Sequence, residues 1–492
     1  MTAFVIYYNH KSYEQGEFKK TIDGLIDSVS FDDISTILIC ADGETHFDDE
    51  CLSDINKKPY KKYNIKVIEG ASIGRAKLFN LALSDLDDLA HSVVFLDGPI
   101  KFGGSWFNRL KKHFINGVLC SCQINTLDRL HWSFDKTSWN TFGFRWDLDL
   151  ICKKSVGVGD VVESAVVSSY CMAGCVETFK TLGGFDDGML PGCGEDIEIS
   201  IRNWLMGGRC LVVGGGKGVA VAPRLESNND VHNKARIAEL WMGKKSSYFY
   251  DAVGLDKNDL NVGRLNQFNN IGPLSRSINW LIESKLPEIG KIFDLAKWCG
   301  KSVGIISNGY SIDLIDQSVI NRHDILIGVD FMATKYECDF VVTNDVSVVE
   351  AVSKLYKQNE VFMPVRITDV NNGQYIKYDQ VMPQANVFET SNNIMAESLS
   401  VVPPFIDYND NTLFAVQISL FMNPREIIIY GMDNKIINGK SHTSNIEYYR
   451  DGVIYADNAI TRKHFANIEY GLSRLGLIAS KKGVSLLRMS HL

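Results

Sequence analysis

The sequence predicts an α/β protein made of two successive sheets, and three observations carry that expectation. Short apolar runs alternate with helix-patterned segments up to about Leu96, the same alternation restarts at Lys301, and between them the strand pattern disappears. The expected organisation is a first domain over 1–255, a helical connector over 256–300 and a second domain over 301–492.

The runs of the first series are Phe4 to Tyr8, Thr36 to Cys40, Ile65 to Ile68 and Val93 to Leu96, with helices predicted over Thr21 to Val29 and Gly74 to Leu83. A stretch of aromatics and short apolar runs follows from Cys120 to Cys171. Ile197, Ile201, Trp204 and Leu205 then recur at helical spacing, so a helix is predicted from about Glu195 to the break at Gly207-Gly208. A strand over Cys210 to Val213 closes the series, with a turn at Gly214-Gly215-Gly216. The connector is polar, with Pro273 and Pro287 as punctuation. The second series has strands at Val303 to Ile306, Ile325 to Val329, Phe340 to Thr343 and Glu426 to Tyr430. Its later elements are a helix over Thr412 to Met422, a long amphipathic helix after His464, and a last strand around Val484 to Leu486.

Composition narrows the function classes. The chain has 492 residues, 45% hydrophobic and 22% charged, as in ordinary globular proteins. With 51 basic against 59 acidic residues its net charge is -8, which argues against a general nucleic-acid binder. The amino terminus reads as a strand rather than an export signal, and no run approaches the ~20 apolar residues that span a bilayer. The expected location is cytoplasmic, with any membrane association peripheral, at the inner membrane face. Eleven cysteines without paired metal spacing read as reduced structural thiols.

The chemistry concentrates in one run: Met172-Ala173-Gly174, Gly183-Gly184-Phe185-Asp186, then Gly194-Glu195-Asp196-Ile197-Glu198 before Arg202 and Trp204. Glu195 and Asp196 fall in a first helical turn, where free backbone amides and the helix dipole favour carboxylates. A carboxylate at a glycine-lined opening can take a proton from a hydroxyl. A helix that merely begins with acids is the plainer alternative. Ligands of open α/β sheets sit at the strands' carboxyl ends, which here carry Asn9-His10, Asp42-Gly43, Gly70 to Arg75 and Asp97-Gly98.

Ile39-Cys40-Ala41-Asp42-Gly43, Gly74-Arg75-Ala76, Phe95-Leu96-Asp97 and the Met172 to Gly208 segment together resemble glycosyltransferases of the Rossmann-like GT-A fold. Gly143-Phe144-Arg145-Trp146, Met172-Ala173-Gly174, Gly194-Glu195-Asp196, Glu198-Ile199-Ser200 with Arg202 and Trp204, and Ala238 to Met242 look closest to polypeptide N-acetylgalactosaminyltransferases. The resemblance implies that Asp42 contacts uridine, Arg75 helps hold the nucleotide, and Gly174 and Trp146 border the donor. It implies a divalent metal, Mn or Mg, at Asp97. The chain departs from the family's pattern where Pro99 replaces the second ligand and where Pro223 and Arg224 stand in the region of the later histidine. His232 is the nearest candidate ligand, and Arg224 an alternative source of positive charge. The mucin-type family carries an amide after the glutamate, whereas similar inverting enzymes, the chondroitin and galactosyl transferases, carry an aspartate. This implies inversion, with Asp196 as base and Glu195 on donor or acceptor hydroxyls. Trp146 and Trp204 can stack on sugar faces, although the position of Trp204 on the apolar stripe also suits a core residue.

In the second domain, the strand at Val303 runs into Ser307-Asn308-Gly309-Tyr310-Ser311, a loop able to offer amides and hydroxyls to a phosphate. An ordinary βα turn with a serine cap is the plainer reading. With Tyr430-Gly431-Met432-Asp433 and a late histidine, this series resembles bacterial sialyltransferase-like and motility-associated glycosyltransferases. The resemblance implies a cytidine monophosphate sugar held by Asn308, Gly309 and Ser311, with Asn344 and Asp433 lining the site and His464 as base. Tyr448, Tyr449 or Tyr455 would face the leaving phosphate, His442 is an alternative base or a solvated loop residue, and Tyr310 stands where the family has proline.

The expectation is a bifunctional enzyme of bacterial surface-glycan synthesis. It would transfer a hexose or N-acetylhexosamine from a UDP-sugar, and an acidic nine-carbon sugar from a CMP-sugar, to a glycan or glycoprotein. Three alternatives stay open: a second domain that only binds glycan or mediates assembly, a first domain that is the relic, and a pyrophosphokinase-like second domain.

Overall fold

The structure is a computed structural model. It describes residues 1–9, 16–43, 60–139, 141–153, 161–214, 218–221, 230–265, 268, 272–286, 298–364, 366–369, 374–377, 385–388, 390–391, 405–408, 410–433 and 459–489. The chain forms two compact units, the first of residues 1–249 with 256–286, the second of 250–255 with 287–492.

The first unit is built on an eight-stranded sheet. Its strands are β1 (Thr2–Tyr8), β2 (Ile34–Asp42), β3 (Ile65–Gly70), β4 (Ser92–Asp97), β5 (Val118–Cys122), β6 (Val161–Glu163), β7 (Cys171–Cys175) and β8 (Arg209–Val213). They lie in the order β6-β8-β5-β7-β4-β1-β2-β3. β1 to β4 pair in parallel, whereas β7 runs antiparallel between β4 and β5. Every residue of β4, and nearly every residue of β1 and β2, is buried. Strands covered on both faces need apolar residues at consecutive positions, which is why these segments read as continuous runs and not as alternation. The helices α1 (Glu17–Ser28), α2 (Arg75–Ser84) and α3 (Glu195–Leu205) follow β1, β3 and the glycine-rich run.

The segment expected as a helical connector contributes to this first unit as far as Leu286. The amides of Ser275 and Arg276 donate to the Leu205 carbonyl at 2.8 and 3.0 Å, closing the carboxyl end of α3. The Trp280 ring, on a helix over Ile278–Lys285, then packs against Trp204 at 5.8 Å.

The second unit carries seven parallel strands: β9 (Ser302–Ile306), β10 (Ile325–Val329), β11 (Phe340–Val342), β12 (Val361–Pro364), β13 (Asn386–Phe388), β14 (Glu426–Tyr430) and β15 (Ser485–Met489). Their order is β13-β12-β11-β10-β9-β14-β15. Two helices, α4 (Asn411–Phe421) and α5 (Ala459–Lys481), precede β14 and β15. His464, expected ahead of the long helix, lies inside its second turn, because no glycine or proline interrupts the sequence between Ala459 and Gly471. No helix among the described residues is long and apolar enough to cross a membrane.

Candidate functional site

In the first sheet the chain lays down β1 to β3 in one direction and returns to β4 on the other side of β1. Such a reversal opens a crevice at the strands' carboxyl ends, where ligands of open α/β sheets bind. Asp42 ends β2 and Asp97 ends β4, and both are buried. The Tyr7 hydroxyl, at the end of β1, donates to Asp42 Oδ2 at 2.7 Å. Burial and the neighbouring Asp42 push the Tyr7 phenol well up, so it keeps its proton for this bond. The Gly74 amide donates to the same oxygen at 3.1 Å, while the buried Asp42 Oδ1 has no hydrogen-bond partner among the described residues. Gly74 has φ 87°, and a Cβ there would stand 2.9 Å from the Pro191 backbone, so this approach requires glycine.

Arg75, the first residue of α2, joins the acids. Its guanidinium pairs with Asp97 through Nη1 and with Glu195 Oε1 through Nε at 3.1 Å, and its Nη2 donates to the Gly192 carbonyl at 2.7 Å. It also lies over the Tyr7 ring, 5.6 Å from the centroid. Burial pulls the guanidinium towards deprotonation, but Asp97 and Glu195 outweigh it and hold the charge well above the ordinary range. Asp196 accepts from Ser169 Oγ at 2.8 Å, and the next carbonyl, that of Tyr170, accepts from the Asp97 amide at 3.3 Å. The 169–170 turn therefore links the acid that opens α3 with the acid that ends β4. Tyr7, Ser169 and Tyr170 were not read from the sequence.

Two expected donor contacts lie elsewhere. Trp146 is fully buried with its ring against Tyr248 at 5.0 Å, so it has no face to offer a sugar. Gly174 pairs with Val93, four residues back along β4 from Asp97, or roughly 13 Å at strand rise. A Cβ on Gly174 would stand 2.9 Å from the Val118 carbonyl, so this glycine serves strand packing. Trp204 is likewise core, donating to the Ser164 and Ala165 carbonyls at 3.2 Å.

The rest of the glycine-and-acid motif is scaffold. Glu198 and Arg202 form a fully buried pair one turn apart, and Trp241 Nε1 donates to Glu198 Oε1 at 2.9 Å from a π-helical turn over Ala238–Met242. Burial pushes the Glu198 carboxyl up, against the pull of Arg202. Asp186 takes two bonds from Arg236, at 2.6 and 2.9 Å.

His232, on the helix Asp230–Ile237, has its Nδ1 3.3 Å from Asn233 Oδ1. Pro223 and Arg224 lie outside the described residues, as does His10. No group of three His, Cys, Asp or Glu among the described residues could hold a metal by itself. Asp97 and Glu195 face each other across the guanidinium of Arg75, so a cation there would have one or two carboxylates and would need further ligands. That suits an ion held by one or two carboxylates and by the phosphates of a substrate, in the manner of Mg²⁺.

The second sheet reverses between β9 and β14. There the Gly309 amide donates to the Gly431 carbonyl at 2.6 Å and the Ser311 amide to Asp433 Oδ2 at 2.8 Å. A Cβ on Gly309 would lie 2.2 Å from that carbonyl, so the two loops cross only because residue 309 lacks one. Ser311 Oγ and Asp433 Oδ1 are buried and have no hydrogen-bond partner among the described residues. Asn308, the second residue of the 307–311 loop, is partly exposed. After β10, Asp330 adopts φ 50° and accepts from Thr343 Oγ1 and Asn411 Nδ2, both at 2.8 Å. Asn411 also donates to Asn344 Oδ1 at 3.0 Å. Burial pushes the Asp330 carboxyl up to about 7. Asp410, which caps α4 by accepting from the Leu413 amide, is also pushed up by burial, with His464 acting in the opposite direction. Asn344 thus belongs to a polar cluster around the start of α4, and His464 acts on that cluster through its charge. His442, Tyr448, Tyr449 and Tyr455 lie outside the described residues.

No family model matches the chain. A probable N-acetylgalactosaminyltransferase 9 of Caenorhabditis elegans is 27% identical over 180 residues, 32% of this chain and 31% of the relative. Polypeptide N-acetylgalactosaminyltransferase 5 of Rattus norvegicus is 22% identical over 220 residues, 40% of this chain and 24% of the relative. The match spans less than a third of the length of either relative. Among solved structures, that of GalNAc-T7 with UDP, GalNAc and Mn2+ superposes with a TM-score of 0.49 at 17% identity, over 58% of this chain and 57% of that one.

Proposed function

We propose that the chain is a glycosyltransferase whose first unit transfers a hexose or N-acetylhexosamine from a UDP-sugar to a hydroxyl of a glycan or glycoprotein, with inversion. The observation that carries this reading is the turn shared by Asp196 and Asp97, which puts a carboxylate at a helix start beside the reversal point of the sheet. The sequence likeness to N-acetylgalactosaminyltransferases supports it.

In this reading Asp42, anchored by Tyr7 and the Gly74 amide, takes the uridine, and Arg75 offsets charge on the diphosphate. A divalent ion at Asp97 would supply further positive charge to the leaving group when bound. Asp196 takes the proton of the acceptor hydroxyl as the acceptor oxygen bonds to the anomeric carbon. The bond from that carbon to the diphosphate breaks, UDP leaves with the electron pair, and configuration inverts. Ser169 keeps the Asp196 carboxylate aimed, and Glu195 takes donor or acceptor hydroxyls.

For the second unit the reading is a cytidine monophosphate sugar at the crossing of the 307–311 and 431–433 loops, with His464 as base. The buried Ser311 hydroxyl and Asp433 oxygen, both without partners among the described residues, support a polar ligand there. Incubating the full chain with panels of UDP-sugars and CMP-sugars, and measuring release of UDP and CMP, tests both units. Release of UDP alone leaves the second unit a binding or assembly module. Release of neither ends the reading.

A further inference from the structure

Two thiols meet at the end of the turn that carries Ser169. Cys122 is the last residue of β5 and Cys171 the first of β7. These strands are antiparallel neighbours, with Ala173 opposite Cys120 and Gly174 opposite Leu119. The same register, two residues further on, sets Cys171 opposite Cys122. Their sulfurs lie 3.3 Å apart, and both residues are buried. Opposite residues of an antiparallel pair have Cα atoms roughly 4.5–5.5 Å apart, inside the window a disulfide tolerates. These two cysteines can therefore be joined with the strand pairing intact, whereas Cys120 Sγ donates to the Ala173 carbonyl at 3.5 Å.

Cys171 is also tied into the site. Its amide donates to the Ser168 carbonyl at 3.1 Å, closing the turn whose Ser169 hydroxyl holds Asp196 and whose Tyr170 carbonyl accepts the Asp97 amide. A bond that draws Cys171 towards Cys122 pulls on this turn from its end.

We propose that Cys122 and Cys171 are a thiol–disulfide site, joined by a two-electron oxidant such as hydrogen peroxide, and that the bond shifts the 168–171 turn and weakens the hold of Ser169 on Asp196. The site itself is independent of the donor reading, and its effect on turnover rests on that reading. One thiolate attacks a peroxide oxygen, the O–O bond breaks, and the sulfur becomes a sulfenic acid as water leaves. The other sulfur attacks it, the S–S bond forms, the S–O bond breaks, and a second water leaves. The two thiols together lose two electrons and two protons, and the peroxide is reduced to water. Burial holds the Cys122 thiol well above its ordinary range, so the reaction waits on opening of the fold and runs slower than at exposed Cys152 and Cys299.

The full chain, with its exposed thiols first blocked by iodoacetamide, is incubated with hydrogen peroxide over hours, digested without reductant and sequenced by mass spectrometry. The expected product is a peptide pair joined from Cys122 to Cys171 that dithiothreitol separates. Release of UDP from a UDP-sugar should fall roughly 10-fold on oxidation, about the worth of one hydrogen bond to a charged group, and recover with dithiothreitol. Cys122→Ala, which leaves the sequence of the turn unchanged, should lose both the linked peptides and the oxidative fall. No linked peptides in the wild-type chain, or a link that joins Cys171 to Cys120 instead, overturns the site without any variant. Linked peptides with unchanged turnover, or an equal fall in folded Cys122→Ala, overturn the pull on Ser169. A reduced chain that releases no UDP from any UDP-sugar ends the donor reading, while the linked peptides still decide the site.

Discussion

Ser169 Oγ donates a 2.8 Å hydrogen bond to Asp196 Oδ2, and both residues are buried. The bond fixes one oxygen of the carboxylate, and Asp196 Oδ1 takes the Ile197 amide at 2.9 Å. Ser169→Ala should therefore lower kcat by roughly 10-fold, about the worth of one hydrogen bond to a charged group, with little change in donor affinity. Steady-state kinetics that split kcat from KM check this.

Tyr7 and Asp42 lie 35 residues apart and meet at 2.7 Å. Tyr7→Phe removes one bond to a carboxylate, so UDP affinity should fall by roughly 5- to 50-fold. Asp42→Ala should weaken it further. Calorimetry with UDP decides, and an unchanged affinity in both variants would remove Asp42 from the uridine site.

Glu198 and Arg202 are fully buried, so Glu198→Ala leaves a buried guanidinium without its partner. The expected cost is about 3–5 kcal/mol. Lys66→Ala, which breaks an exposed pair with Asp85, should cost no more than about 1 kcal/mol. Denaturant unfolding of the two variants provides the contrast.

Asp330 supplies a pH dependence for the second unit. Its carboxyl is raised to about 7 in the fold, so between the ordinary aspartate value and 7 the native state binds more proton than the unfolded state. Stability from this group is complete at low pH and is lost as pH rises towards and through 7. Asp330→Asn should flatten that slope. Thermal unfolding across pH 4 to 7.5 measures it, and equal slopes in both proteins would contradict the assignment.

Much of the scaffold was legible because strands buried on both faces must be continuously apolar, as Ile37 to Cys40 and Val93 to Leu96 are. The positions of Asp42, Arg75 and Asp97 were legible because residues that directly follow apolar runs fall at the carboxyl edge of an open sheet. Tyr7 and Ser169 were not, since each acquires its place only through a partner 35 or 27 residues away. Gly174 and Trp146 misled for the opposite reason. They stand beside chemical residues in sequence, but strand direction carries Gly174 away from Asp97, and burial turns Trp146 inward. The motif around Glu198 and Arg202 owes its pattern to a buried ion pair rather than to contact with a ligand.

The account stands most directly on Asp196. UDP-sugar turnover by the full chain and by Asp196→Asn, with UDP affinity measured on both, is the decisive comparison. The predicted result is a loss of roughly 100-fold or more in kcat with UDP affinity retained, as expected for removal of a general base. Equal turnover by the two proteins would contradict it.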